Sequence, residues 1–235
     1  MATYVLVHGA WIGGWFWKDI ARRLRAKGHE VYTPTLTGLG ERIHLLRPGI
    51  DLDTHILDVL NVVKFEDLDR MVLVGHSYGG MVVTGVADAI PDKIASLVYL
   101  DAFVPENGQA LLDLVPATQP NPDRQVRGGD GLTLPPLPAS AFGVKPEVAA
   151  WMDAHTNPHP AACFTQPIRL TGGIDRVARR SYIYANDPAP TTFTPFYEKL
   201  KDAPGWEMHT LPCTHLVQLD MPAELTQLLL DAAAA

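Results

Sequence analysis

The sequence turns on Met71-Val72-Leu73-Val74-Gly75-His76-Ser77-Tyr78-Gly79-Gly80. An apolar run ends in Gly-x-Ser-x-Gly, and a helix-like run from Met81 to Ile90 follows at once. A strand that turns sharply into a helix forces its turn residue into a strained backbone. It tolerates only small neighbours, because strand and helix almost touch. Gly75 and Gly79 supply that room, and the strain lifts the Ser77 hydroxyl clear at the N-terminus of the helix. An ordinary Gly/Ser turn lacks this strand and this helix. The stretch therefore predicts Ser77 as a nucleophile.

Around this elbow the chain alternates strand and helix. Tyr4 to His8 is a continuous apolar run, as expected of a parallel strand buried on both faces. Ile20, Ala21 and Leu24 recur at helical spacing up to Gly28. His29 to Thr33 reads as a second strand, and Thr35 to Pro48 as loop. Leu52, Ile56, Val59, Leu60 and Val63 mark a helix, with Asp51 or Asp53 as its N-cap. After the elbow, Ile94 to Leu100 is a fourth strand. This order predicts a parallel sheet with helices on both faces.

Composition changes at Pro105. From there to about Arg176 the chain is rich in Pro, Gly and polar residues. Pro116, Pro120, Pro122, Pro135, Pro136 and Pro138 argue against regular strands. Two helices are expected, near Gln109 to Leu114 and from Pro146 to His155, with Pro146 in the first turn. Residues 105–176 therefore read as a cap over the C-terminal edge of the sheet, and residues 1–104 and 177–235 as the core. The pattern then resumes with strands at Arg180 to Ala185 and Trp206 to Leu211, and helices at Pro195 to Lys201 and Pro222 to Leu230. The expected fold is α/β, with a mostly parallel six-stranded sheet.

A serine hydroxyl needs a base in reach, and the base needs an acid to fix its tautomer. Functional groups of an open α/β sheet gather at the C-terminal ends of strands. Asp187 follows the fifth sheet strand and His215 the sixth, in the order Ser, Asp, His. Asp101 also ends a strand and is the alternative acid. Asp175 and Asp202 lie off strand ends, and Asp220 comes after the histidine. Oxyanion donors are expected from the backbone N–H of Tyr78 and of Ala10, in the loop after the first strand. His8 is expected to shape that loop, and the His76 side chain to point away from Ser77. His155 and His159 are expected at solvated positions on the cap. Trp11, Phe103, Trp151, Met152 and Leu216 are candidate pocket residues, with Phe142, Leu134 and Leu137 adding apolar surface.

Other chemistry finds no support. Gly38-Leu39-Gly40 lacks the third glycine of a dinucleotide fingerprint. There is no His-Glu-x-x-His and no paired-cysteine spacing, so neither metal nor organic cofactor is expected. Cys213 reads as a buried structural thiol. Lys and Arg number 19 against 26 Asp and Glu, for a formal charge of −7, and no dense basic run occurs. Neither nucleic acid nor an anionic membrane is an expected partner. Without a signal-like start, a long apolar span or a cysteine framework, the expected setting is the cytoplasm, as a monomer or homodimer.

The residues also carry a resemblance. Val5-Leu6-Val7-His8-Gly9-Ala10-Trp11-Ile12-Gly13-Gly14-Trp15 with Gly28-His29-Glu30-Val31, and Leu73 to Met81, resemble the plant methylesterase and hydroxynitrile lyase family and its bacterial esterase relatives. Tyr182-Ile183-Tyr184-Ala185-Asn186-Asp187 and Cys213-Thr214-His215 resemble the segments carrying that family's acid and histidine. The resemblance covers roughly residues 3–105 and 178–230 and is poor across the cap. It implies an α/β-hydrolase fold and a serine carboxylesterase acting on a small ester. Lyase members carry threonine after the first-loop histidine and lysine after the catalytic one. Gly9 and Leu216 stand there in this chain, which favours ester hydrolysis over cyanohydrin cleavage. Ile12 replaces a histidine usual in the plant members. The alternatives are a lyase-like or other cofactor-free enzyme, or a non-catalytic ligand-binding protein on this fold.

Overall fold

The computed structural model describes residues 1–115 and 131–234. Six strands form one sheet: β1 (Thr3–Val7), β2 (Glu30–Tyr32), β3 (Met71–His76), β4 (Ile94–Leu100), β7 (Arg180–Ala185) and β8 (Trp206–Leu211). Their order is β2-β1-β3-β4-β7-β8 and every pairing is parallel. The central strand β3 is buried along its whole length. Its near-continuous apolar sequence follows from burial on both faces.

Helices cover both faces. α1 (Lys18–Ala26) and α9 (Pro222–Ala233) bury Ile20, Leu24, Leu225 and Leu229 against one side, with Tyr4, Leu6, Val72 and Val74. α2 (Leu52–Phe65), α3 (Gly79–Ala89) and α7 (Thr194–Leu200) bury Val59, Val63, Val83, Val86 and Leu200 against the other. Asp51 is the N-cap of α2: its carboxylate accepts from the Thr54 N–H at 2.9 Å, and Thr54 Oγ1 returns a bond to the Asp51 N–H. α8 (Val217–Asp220) is a single turn between β8 and α9.

Between β4 and β7 lie α4 (Leu111–Leu114), β5 (Thr133–Leu134), α5 (Pro146–Asp153), β6 (His159–Pro160) and α6 (Ala162–Thr165). Pro146 does occupy the first turn of α5. The turn at α6 goes beyond the two expected helices. A two-residue antiparallel ladder, Thr133 with Pro160 and Leu134 with His159, forms despite the prolines around it. It ends where Pro135 begins, since a proline has no N–H to extend the pairing. Pro116, Pro120 and Pro122 lie outside the described residues. Ile12, Phe16 and Leu216 form an apolar seam with Ala139, Ala149 and Met152, joining this segment to the sheet's edge.

Four histidines are fully buried in this fold: His8, His55, His76 and His159. Burial holds His8 down at about 3 and His55 at about 4, and pushes His76 and His159 well below the ordinary histidine range. The folded state keeps all four neutral, whereas the unfolded chain protonates each below about pH 6.5. Their contribution to stability is therefore complete above that pH and is lost as pH falls toward 4. Asp101, whose carboxyl burial raises, opposes the trend by at most one proton. Net proton uptake on unfolding makes stability fall as pH drops through that window. Denaturant titrations at pH 7.5, 6 and 5 should show this fall, and a flat profile would contradict it.

Candidate active site

Ser77 sits at the turn from β3 into α3 with φ of 55°, the left-handed region in which non-glycine residues are uncommon. Close approach explains the flanking glycines. A Cβ on Gly75 would lie 2.7 Å from the Gly79 carbonyl oxygen, and one on Gly79 would lie 2.8 Å from the carbonyl oxygens of Val7 and His8. These are backbone atoms of α3, of the end of β1 and of the residue after it, and cannot swing aside. Gly79→Ala should cost about 1–3 kcal/mol by overpacking and displace Ser77. Thermal melts and ester turnover on that variant would check it, with unchanged values counting against the account.

His215 follows β8 and lines the same pocket as Ser77. Its Nδ1 lies 2.7 Å from Asp101 Oδ2. The other carboxylate oxygen of Asp101 accepts from the Ala185 N–H at 3.1 Å. Asp101 is 1% exposed. Burial raises its carboxyl above the ordinary range, while His215 and the Ala185 N–H pull it back. A carboxylate accepts only, so Nδ1 of His215 carries the proton and Nε2 is left with a lone pair.

This pairing corrects the expectation for Asp187. Asp187 is exposed, and its backbone N–H bonds the Cys213 carbonyl. β4 lies between β3 and β7, so the residue after β4 is carried inward at the middle of the sheet. Asp101 adopts φ of 41° there.

Ala10 and Tyr78 both lie beside Ser77. Ala10 lines the pocket, and Tyr78 is the buried residue before α3. His8 fixes the Ala10 peptide. Its Nδ1–H donates to the Gly9 carbonyl at 2.8 Å, and its Nε2 accepts from the Leu36 N–H at 3.1 Å. In a trans peptide the N–H points opposite to the C=O. Tying the Gly9 carbonyl to His8 therefore aims the Ala10 N–H the other way. Gly9 itself is close to the nucleophile: a Cβ there would sit 3.0 Å from Ser77 Cβ.

His76 packs against His215. It lines the pocket, its ring stacks on His215 with centroids 4.6 Å apart, and its Nε2–H donates to the His215 carbonyl at 3.1 Å. Phe193 stacks on the same imidazole at 4.8 Å and Phe142 at 5.8 Å. His215 is thus held by its ring contacts as well as by Asp101.

The pocket is formed by Gly9, Ala10, Trp11, Ile12, His76, Ser77, His215 and Leu216 from the sheet's edge, and by Leu137, Ala139, Phe142, Met152 and Thr156 from the segment above it. Of the expected lining residues, Trp11, Met152, Leu216, Phe142 and Leu137 are there. Phe103 is not; it packs against Phe193 at 5.0 Å in the core. Trp151 is not either. It sits on the outer side of α5, 42% exposed, against Trp15 and His155. Met152, its neighbour on the helix, takes the inward position. Leu134 is buried and accepts a hydrogen bond from Trp11 Nε1–H at 3.2 Å. Cys213 is buried and unpaired, as its sequence context implied, and burial pushes its thiol up to about 12.

His155 is exposed, as expected, but His159 is fully buried. It lies with His55 and Cys163, whose potential ligand atoms all fall within 4.8 Å of one another. The hydrogen bonds read better as a polar network than as a metal site. His55 Nε2–H donates to the Thr37 carbonyl at 2.9 Å, leaving Nδ1 to accept from the Tyr78 hydroxyl at 2.8 Å. His159 Nδ1 accepts from the Trp11 N–H at 3.3 Å, so its proton sits on Nε2, a buried atom with no hydrogen-bond partner among the described residues. Sequence reading missed this network. Its signal was a tyrosine beside the nucleophile, since a buried hydroxyl requires a partner.

The strand–helix elbow, the crossover sheet and the buried His–Asp pair together define a class. The chain belongs to the alpha/beta hydrolase family, whose model matches residues 4–228. It is 46% identical to a carbendazim hydrolyzing esterase of Nocardioides sp., across 97% of this chain and 98% of that one. It is 35% identical to the salicylic acid-binding protein 2 of Nicotiana tabacum over 44% of this chain and 40% of the relative. Among solved structures, an extracellular alpha/beta-hydrolase from a Paenibacillus species superposes with a TM-score of 0.88, at 25% identity and full coverage of both chains. Among the described residues, no helix is long and apolar enough to cross a membrane.

Proposed function

We propose that this chain is a serine carboxylic-ester hydrolase acting on small, uncharged esters, with Ser77 as nucleophile, His215 as base and Asp101 as acid. The observation that carries the reading is the 2.7 Å contact between His215 Nδ1 and the buried Asp101, with Ser77 and His215 facing one pocket. His215 Nε2 takes the Ser77 proton as the hydroxyl attacks the ester carbonyl. The Ala10 and Tyr78 N–H groups bind the oxyanion. The protonated His215 gives its proton to the leaving alcohol, and water clears the acyl-enzyme by the same route. Asp101 holds the tautomer and stabilises the imidazolium. The esterase relative that aligns along nearly the whole chain supports this reaction class.

Residues 105–176 act as the cap and set selectivity. None of the pocket residues carries a fixed charge, which supports a neutral substrate. Gly9 and Leu216 favour hydrolysis over cyanohydrin cleavage, because neither offers a hydroxyl or an ammonium to a leaving cyanide. All of the residues invoked come from one copy, so a monomer suffices for the chemistry. Two buried, unpaired cysteines suit a reducing cytoplasm.

The test is a panel of methyl and p-nitrophenyl esters varied separately in acyl and alcohol groups, with carbendazim included because a relative is named for it. Neutral short esters should turn over, and esters with a charged acyl group should be slower by about tenfold or more, from the cost of burying a charge. Cyanide release from a cyanohydrin without turnover of any ester would overturn the reading.

A further inference from the structure

The loop that carries Ala10 is held from above. Trp11 adopts φ of 63°, a left-handed backbone that is unfavourable for a bulky residue and persists only where its surroundings over-determine it. Three hydrogen bonds do so, and each partner lies in the cap. The Trp11 N–H donates to His159 Nδ1 at 3.3 Å, Trp11 Nε1–H donates to the Leu134 carbonyl at 3.2 Å, and the Trp11 carbonyl accepts from the Asn157 N–H at 3.0 Å.

The other oxyanion residue meets the same histidine. The rings of Tyr78 and His159 lie edge to face with centroids 4.7 Å apart. The Tyr78 hydroxyl is tied to His55, whose ring is 5.5 Å from His159. Phe164 of α6 closes the group, 4.8 Å from His159 and 5.7 Å from Tyr78. One cap side chain thus bonds the peptide after Ala10 and packs against the side chain of Tyr78.

We propose that His159 is a positioning residue that sets both halves of the oxyanion hole, which makes the cap part of the catalytic scaffold rather than only a cover over the substrate. The proposal rests on the reading of Ala10 and Tyr78 as oxyanion donors. His159 touches neither substrate nor Ser77. It acts by fixing the Ala10–Trp11 peptide through Nδ1 and the Tyr78 ring through its own ring.

Asparagine and glutamine separate this role from simple packing. An Asn oxygen falls near the place of Nδ1, whereas a Gln oxygen falls near that of Nε2. His159→Asn should keep kcat/KM on a p-nitrophenyl ester within about threefold. His159→Gln should lose about tenfold or more, mostly in kcat, in line with the effects of disturbed oxyanion donors. His159→Phe keeps the ring, drops the acceptor and should behave as the Gln variant.

Methylboronic acid supplies a readout besides turnover, because its tetrahedral adduct on Ser77 places an oxygen in the oxyanion hole. Its Ki should rise in the Gln and Phe variants in proportion to the fall in kcat/KM. Equal losses in the Asn and Gln variants, or a fall in kcat/KM with the boronate Ki unmoved, would overturn the proposal. Ser77→Ala distinguishes the two levels. If that variant stays active, the hydrolase reading itself fails. If it is inactive while Asn and Gln behave alike, only the role of His159 fails.

Discussion

Asp101→Asn is expected to lower kcat on a p-nitrophenyl ester by about ten-thousand-fold, the size of effect that follows when a triad histidine is held in the wrong tautomer. The geometry dictates this. Asp101 uses one oxygen for the Ala185 N–H and the other for His215 Nδ1–H. Asparagine has a single oxygen, and the backbone donor of Ala185 cannot be removed. The amide therefore turns its oxygen to Ala185 and its NH2 to His215. His215 must then present a lone pair at Nδ1 and carry its proton on Nε2, where it cannot accept from Ser77. Asp187→Asn, at an exposed position, should change kcat/KM by no more than about twofold, as surface substitutions usually do. Steady-state kinetics on the two variants decide between the carboxylates. A large loss at Asp187 and a small one at Asp101 would reverse the assignment.

Ser77→Ala is expected to lower kcat by about a million-fold, the scale seen when the nucleophile of a serine hydrolase is removed. What remains should come from the oxyanion donors and binding, which the substitution leaves in place. Alanine also tolerates φ of 55° poorly, as serine does, so the fold should change little. Circular dichroism melts close to those of the parent protein would show that the loss is chemical. Activity within about tenfold of the parent would mean that the elbow is a structural turn and that another group does the chemistry.

Much of this site was legible in the sequence, and the reasons are physical. Ser77 could be singled out because Gly75 and Gly79 sit between a buried strand and a helix, a context that an ordinary Gly/Ser turn does not need. His215 could be read because it follows a strand. The acid was harder, because both Asp101 and Asp187 follow strands and share the same periodicity. What separates them is context. Asp101 is a lone charge in Leu97-Val98-Tyr99-Leu100-Asp101-Ala102-Phe103, and a carboxylate in such a run is buried and must be paired. Asn186-Asp187-Pro188 has the composition of an exposed turn. Both also satisfy the order Ser, Asp, His, so order and strand position alone do not separate them.

The cap was read least well. Its short turns carry no repeating period, so neither α6 nor the β5–β6 ladder could be placed. Trp151 and Met152 are adjacent on α5, and without the register of that helix nothing decided which of them faces inward. Phe103 follows β4 and its N–H bonds the Ser77 carbonyl, but its ring packs in the core beside Phe193 and Phe196. A solvated position is expected for His159 from its place in the segment between β4 and β7. It is buried because its partner, the Trp11 N–H, lies 148 residues away in the chain. Pairings over that distance leave no mark in local composition.

If Ser77 is the nucleophile, an acyl-enzyme forms on it, and the mass of the protein during turnover shows it. The enzyme is mixed with an ester whose acyl-enzyme hydrolyses slowly, quenched in acid within the burst, and weighed intact before peptide mapping. The account predicts one added acyl group per chain, carried on the peptide holding Ser77 and absent from the Ser77→Ala protein. Ester turnover with no adduct at any quench time, or an adduct on a residue other than Ser77, would contradict it.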